Sequence, residues 1–405
     1  MNAEELRREA SEIKEEIIAN RKYLHAHAET GFELKETLPH VKSCLEKMGY
    51  APKYCGRAGI TALAGGKKEG KVFLLRADMD ALPIKEQSGM SFASENGCMH
   101  ACGHDMHTAM LLGAARLLKK HEDEICGTVK LMFQPAEEIF EGAADMINGG
   151  VLENPHVDAA LMIHVMSGMP FEPGTVIVSD PGISAPAADY FEIKIKGKGC
   201  HGSMPNMGID PLTAAAHILI ALQGINAREL AMTDRATLTI GSLHGGSAAN
   251  AIPDEAVMGG SLRTFDEAVR SNVKRRTTEI ADCTARAFRA EAEVSFGSGC
   301  PSLKNDGALS HDTYRYVREL LGADKAFTVA KFSGSETSKS AGSEDFAYIT
   351  REVPSIMLVL AAGQPEKGYI YPQHHPMVKF DDDALDFGSA VYAYTAMRWL
   401  EEHGE

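Results

Sequence analysis

Leu6, Ile13, Ile17 and Leu24 fall on one helical face within residues 3–27, and Asn2 with Glu5 three positions on reads as a capping box that starts the helix. A second helix is predicted over 38–48, stopped by Gly49. The period then changes. Val72-Phe73-Leu74-Leu75 is a short apolar run of the kind buried on both faces of a sheet, and it leads into Arg76-Ala77-Asp78-Met79-Asp80-Ala81-Leu82-Pro83. A helix reaching about Lys120, a strand over 128–133 and another over 157–163 continue the alternation. Strands alternating with helices predict an α/β sheet, whose ligands gather at the carboxyl ends of its strands. Three such ends carry polar chemistry: Asp78/Asp80, Glu137/Glu138 and His164.

Beyond Pro186 the pattern becomes that of half-exposed strands. Residues 190–196 alternate, with Phe191, Ile193 and Ile195 on one face. A helix over 210–224, strands near 236–243 and 255–264, a helix over 266–289 and a strand over 291–296 follow. That order, β-α-β-β-α-β, is ferredoxin-like. The expected organisation is therefore a larger α/β domain built from 1–186 and 298–405, interrupted by a complete small domain at 187–297. The returning segment supplies a helix near 309–322, an apolar strand at 355–361 and an amphipathic helix over 384–401.

A chain of 405 residues exceeds one ordinary core, which agrees with two domains. Its net charge of −15 and pI near 5.5 argue against nucleic acid or an anionic membrane as partner. The eight cysteines are scattered rather than set in the dense framework of small secreted domains, so reduced thiols are expected. The charged amino terminus lacks the apolar stretch of a signal peptide, and no run approaches the ~20 apolar residues that span a bilayer. A cytoplasmic protein is the expectation.

The densest chemistry lies at 98–108, Cys-Met-His-Ala-Cys-Gly-His-Asp-Met-His-Thr, directly before an apolar helical run. Thiolate and imidazole hold borderline-soft divalent metals, and Gly103 lets the chain turn tightly between Cys102 and His104. A closed structural zinc site is the competing reading of the cluster alone. Gln134-Pro135-Ala136-Glu137-Glu138 closes a strand. Adjacent residues in extended chain point opposite ways, which predicts one carboxylate on a metal and the other in the open cleft as a general base. His164 ends an apolar strand, and His374-His375-Pro376 follows Tyr371-Pro372 in a loop. Together, one thiolate, three imidazoles and a carboxylate suit two divalent ions a few ångströms apart.

These stretches resemble the aminoacylase–carboxypeptidase metallopeptidases, in particular the amidohydrolase branch with hippurate hydrolases, N-acyl-L-amino acid amidohydrolases and indoleacetyl-amino-acid hydrolases. The resemblance runs through 76–83, 99–105 and 134–138. It continues at Gly199-Cys200-His201-Gly202, at 245–254, at Leu262-Arg263-Thr264-Phe265 and at Gly342-Ser343-Glu344-Asp345-Phe346. It implies that Cys102, His104, Glu138, His164 and His374 ligate two divalent ions (zinc, manganese, cobalt or nickel), with Glu137 as the base and Asp80 orienting a ligand. It further implies that the inserted domain is a lid that makes a homodimer contact, with His201 stabilising the oxyanion and Asn250 and Arg263 holding the substrate's carboxylate. The implied activity is hydrolysis of the amide of an N-acyl-amino acid. A dipeptidase or carboxypeptidase of the same fold, or a non-catalytic metal-binding relative, is the alternative. Cys200, Asn206 and Met166 depart from the family's usual residues, which implies a different substrate preference.

Overall fold

Every residue of the Val72–Asp78 strand is buried, the signature of a strand covered on both faces. In the computed structural model, which describes residues 1–334, 339–340 and 342–404, this strand sits inside an eight-stranded mixed sheet. The order across the sheet is Lys53–Cys55, Gly59–Gly65, Thr128–Gln134, Val72–Asp78, Ala159–Met166, Ser355–Ala361, Val176–Val178, Ala326–Thr328. The four from Thr128–Gln134 to Ser355–Ala361 are mutually parallel, so their carboxyl ends open on one edge. Antiparallel neighbours flank them, which gives the α/β mixed sheet expected from the pattern. His104–Lys120 and Leu385–His403 are buried along most of their length, and Met110, Leu111, Tyr392 and Trp399 join Phe73, Leu131, Phe133 and Ile163 in one core.

The helix expected over 3–27 is broken at Ile13 into Ala3–Glu12 and Lys14–Ala26. Asn2 caps its start as the sequence indicates, accepting from the Glu4 and Glu5 amides. Arg7 reaches Asp386 at 2.7 Å and Lys14 reaches Asp383 at 2.6 Å, so each half is anchored to the start of the last helix. The hairpin of Lys53–Cys55 with Gly59–Gly65 has no counterpart in the sequence reading, because Ala, Gly and Thr there give too little hydrophobic contrast.

The chain divides into two compact units: Met1–Ser184 with Lys304–Lys339 and Asp345–Glu405, and Ala185–Leu303 with Ser340–Glu344. The second holds an antiparallel sheet in the order Ala236–Gly245, Glu255–Thr264, Ala187–Lys196, Glu291–Cys300. Two helices, Pro211–Gly224 and Glu267–Ala287, are N-capped by Asp210 and Asp266 and share a core with Phe191, Ile193, Ile195, Met258 and Leu262. The succession is β-α-β-β-α-β with a short strand pair added. Among the described residues, no helix is long and apolar enough to cross a membrane. None of the eight cysteines is in a disulfide.

Candidate metal centre

The parallel strands deliver their polar ends to one place. His104 opens the His104–Lys120 helix directly after Gly103, whose φ is +90°. A Cβ at Gly103 would lie 2.4 Å from Val165 Cγ2, so only glycine lets the Cys102–His104 turn press against the strand that carries His164. Cys102 Sγ then stands 3.6 Å from His164 Nε2. His374 has φ +65°, an uncommon conformation for a side-chain-bearing residue, and its N–H donates to Ala101 O at 2.9 Å. The loop bearing His374 is thereby tied to the residue before Cys102.

The extended geometry expected for Glu137 and Glu138 is not found. The strand stops at Gln134, Ala136 turns with φ +56°, and both glutamates lie in the turn that follows. Both carboxylates therefore approach the same nitrogen: Glu137 Oε2 and Glu138 Oε1 are each 3.9 Å from His104 Nε2. His374 Nε2 lies 3.6 Å from Glu138 Oε2. Cys102, His104 and His164 form one set whose donor atoms all lie within 4.8 Å of one another, Cys102, Glu138 and His374 a second, and His104, Glu137 and Glu138 a third.

His104 donates from Nδ1 to Asp80 O at 2.8 Å, and its buried Nε2 has no hydrogen-bond partner among the described residues. Asp80 also takes the Glu137 amide on Oδ1 at 2.9 Å and the Glu138 amide on Oδ2 at 3.2 Å. One residue thus fixes a candidate ligand and the whole acidic turn. Burial favours a neutral His104, but Asp78, Asp80 and Cys102 outweigh it and push its pKa well above the ordinary value. Burial, reinforced by the Glu138 charge, pushes the Cys102 thiol up to about 12. Burial and the neighbouring His107 hold His164 down at about 3, which keeps Nε2 a free base, while Nδ1 donates to Val165 O at 2.7 Å. A buried orphan imidazole nitrogen, a thiol and clustered carboxylates fit a divalent cation, which would replace the protons these groups hold.

Sequence reasoning left out the layer beneath. Arg76, fully buried, donates to Asp78 Oδ2 at 2.7 Å, to Asp345 Oδ1 at 2.9 Å and to Gln134 Oε1 at 2.9 Å. Burial raises the Asp78 pKa, but His104, Arg76 and His107 together hold it well below the carboxylate range. The Asp345 amide points to Glu137 Oε1 at 3.4 Å. Asp105, next to His104, takes Arg21 Nε at 3.0 Å and His25 Nδ1 at 2.9 Å, and Arg21 also pairs with Asp382. His107 stood in the 98–108 cluster and Asp78 at a strand end, so both were visible without an assigned role. Arg21 and His25 lie far away in sequence and gave no local signal.

His201, Asn250 and Arg263 belong to the second unit. His201 is exposed, on a two-residue strand paired with Ala251–Ile252, and the Gly202 amide donates to Asn250 O at 2.7 Å. The Ser203 amide donates to His201 Nδ1 at 3.1 Å, so the other nitrogen, Nε2, carries the proton and is a hydrogen-bond donor. Arg263, on the Glu255–Thr264 strand, donates from Nη2 to Tyr190 Oη at 3.1 Å.

The chain belongs to peptidase family M20/M25/M40, whose family model matches residues 74–398. It is similar to the N-acetyl-L-cysteine deacetylase of Bacillus subtilis strain 168, with 36% identity over 397 residues, covering 98% of this chain and 91% of the relative. It is 39% identical over 303 residues to the N-acyl-L-amino acid amidohydrolase of Geobacillus stearothermophilus, covering 74% and 80%. Among solved structures, a dinuclear metal-binding M20 peptidase of Bacillus subtilis superposes with a TM-score of 0.77 at 33% identity, covering 96% of this chain and 99% of that one.

Proposed function

We propose that this protein is a metal-dependent amidohydrolase that cleaves N-acyl-amino acids to a carboxylic acid and a free amino acid. The observation that carries the reading is the placing of Glu137 and Glu138 on one turn, both clamped by Asp80, beside His104 Nε2. Cys102, His104, Glu138, His164 and His374 would hold two divalent ions, zinc, manganese, cobalt or nickel. Cys102, His104 and Glu138 each belong to two of the donor sets described above, so the sets form one contiguous cluster that would hold the ions. Bound ions supply Lewis acidity toward the amide carbonyl and acidify water at neutral pH.

Glu137 takes the proton of the attacking water on its carboxylate and delivers it to the departing amine nitrogen as the C–N bond breaks. Glu137 Oε2 lies 3.9 Å from His104 Nε2, on the side of the donor sets, the direction that this transfer needs. His201, with Nε2 protonated, donates to the oxygen on which negative charge develops. Asn250 and Arg263 hold the substrate's carboxylate, Arg263 by paired charge-assisted hydrogen bonds. The inserted unit serves as lid and homodimer contact, and the enzyme works in the cytoplasm. Release of free amino acid from hippurate and N-acetyl-methionine, abolished by chelator and restored by added metal, tests this function. Chelator-insensitive release, or none under any of the four metals, would overturn it.

A further inference from the structure

His107 lies one helical turn after His104 and is fully buried. The Val165 amide donates to its Nε2 at 2.8 Å, which leaves Nδ1 as the protonated nitrogen. Nδ1 in turn donates to Asp78 Oδ1 at 2.6 Å. A nitrogen whose lone pair accepts an amide proton has none left for a cation. The proximity of Asp78, His104 and His107 therefore does not make His107 a ligand.

What His107 does hold is the end of a strand. Ala159–Met166 pairs with Val72–Asp78 only as far as Met162, opposite Arg76. Past that point, two amides on this edge are taken by side chains. Ile163 N–H donates to Tyr392 Oη at 2.9 Å, and Val165 N–H to His107. Tyr392 passes its own proton to Arg76 O at 2.7 Å, and His107 is braced by Asp78, itself bound to Arg76. The peptide joining His164 to Val165 is thus secured on this side by an imidazole where a neighbouring strand would otherwise serve. The two rings also meet edge to face, with centroids 4.7 Å apart.

We propose that His107 is a positioning residue: by accepting the Val165 amide while anchored to Asp78, it aims the His164 imidazole at its ion and so sets metal affinity. This rests on the proposed ligand role of His164. Groups that orient a metal ligand typically govern affinity by about 10–100-fold. His107→Phe keeps the ring's bulk and removes both hydrogen bonds. His107→Asn keeps a donor for Asp78 but is too short to reach the Val165 amide. His107→Gln extends an amide oxygen to where Nε2 accepts.

Zinc affinity, measured by chelator competition on the folded full-length protein, should fall about 10–100-fold for one of the two ions in the Phe and Asn variants and recover toward wild type in the Gln variant. The absorption spectrum of the cobalt-loaded protein should shift in the same two variants and return with Gln. His164→Ala, run beside them, should lose one ion outright. If His164→Ala binds both ions like wild type, the ligand role fails and the proposal with it. If His164→Ala loses an ion while His107→Asn keeps wild-type affinity and spectrum, the positioning role alone is overturned. A lowered urea midpoint with unchanged zinc affinity in the folded protein would likewise assign His107 a structural role and overturn the proposal.

Discussion

His104 donates from Nδ1 to the backbone carbonyl of Asp80 at 2.8 Å, so Nε2 is the nitrogen turned toward the two glutamates. The same Asp80 holds those glutamates through their amides. Asp80 therefore fixes the spacing of three residues. Asp80→Asn would present an NH2 group to one of the two amide donors, setting donor against donor in a buried place. It should weaken metal binding by about 10–100-fold, checked by chelator competition with zinc. Wild-type affinity would show that the acidic turn holds its shape unaided.

Metal uptake should release protons. Cys102, with its thiol pushed up to about 12, and His104, with its pKa raised, both carry protons at neutral pH that an ion must displace. Affinity should therefore rise with pH, by about tenfold per unit for each proton released. Isothermal titration from pH 6 to 8 in buffers of different ionisation enthalpy counts the protons. Cys102→Ser should bind more weakly and with a shallower slope. Cys98→Ser should match wild type in both, since Cys98 is in none of the three donor sets described above.

His25 makes stability depend on pH in the opposite sense to a carboxylate whose pKa the fold lowers. Burial disfavours its charge, but Asp105 and Glu86 on either side outweigh that and raise its pKa to about 9. A raised folded-state pKa contributes stability that is fully present below about 6.5 and lost as pH climbs through 9. Urea denaturation of the metal-stripped protein should show wild type exceeding His25→Gln by most at pH 6, on the order of 3 kcal/mol, with the gap narrowing by pH 9.5. A constant gap would mean that the imidazole is not charged in the folded state.

The sheet and its chemistry were legible because parallel strands write themselves as continuous apolar runs that end in polar residues. Val72–Asp78 could be read on that principle, and the 98–108 cluster on the metal-binding chemistry of its thiols and imidazoles. The acidic turn was legible in its residues and misread in its shape. A backbone reversal at Ala136, with no glycine to announce it, brings both carboxylates to one nitrogen. The supporting layer was hidden for a different reason. Arg76 and Asp345 stood in quoted stretches without a role and Arg21 and His25 in none, because a buried ion pair between residues 269 apart leaves no periodic trace. His107 shows the limit most plainly: residue type suggests a ligand, and only the Val165 amide at Nε2 says otherwise.

If the second unit completes the site of a partner subunit, His201 and Glu137 of different chains must work together. A two-fold dimer exchanges the same groups in both directions. Mixing inactive His201→Ala with inactive Glu137→Gln and allowing exchange should restore roughly a quarter of wild-type activity, since about half the dimers are mixed and each has one intact site. Mixtures that stay inactive, with exchange verified by native mass spectrometry, would place His201 in the site of its own chain.

Glu137→Gln tests the central assignment most directly, because it removes the proton acceptor and leaves Cys102, His104, Glu138, His164 and His374 untouched. Metal content and the rate of amino-acid release from N-acetyl-methionine are measured on the same preparation. The variant should hold two ions per chain, as in wild type, with turnover reduced by about 10²–10⁴-fold. Turnover within a few-fold of wild type at full metal occupancy would contradict the assignment.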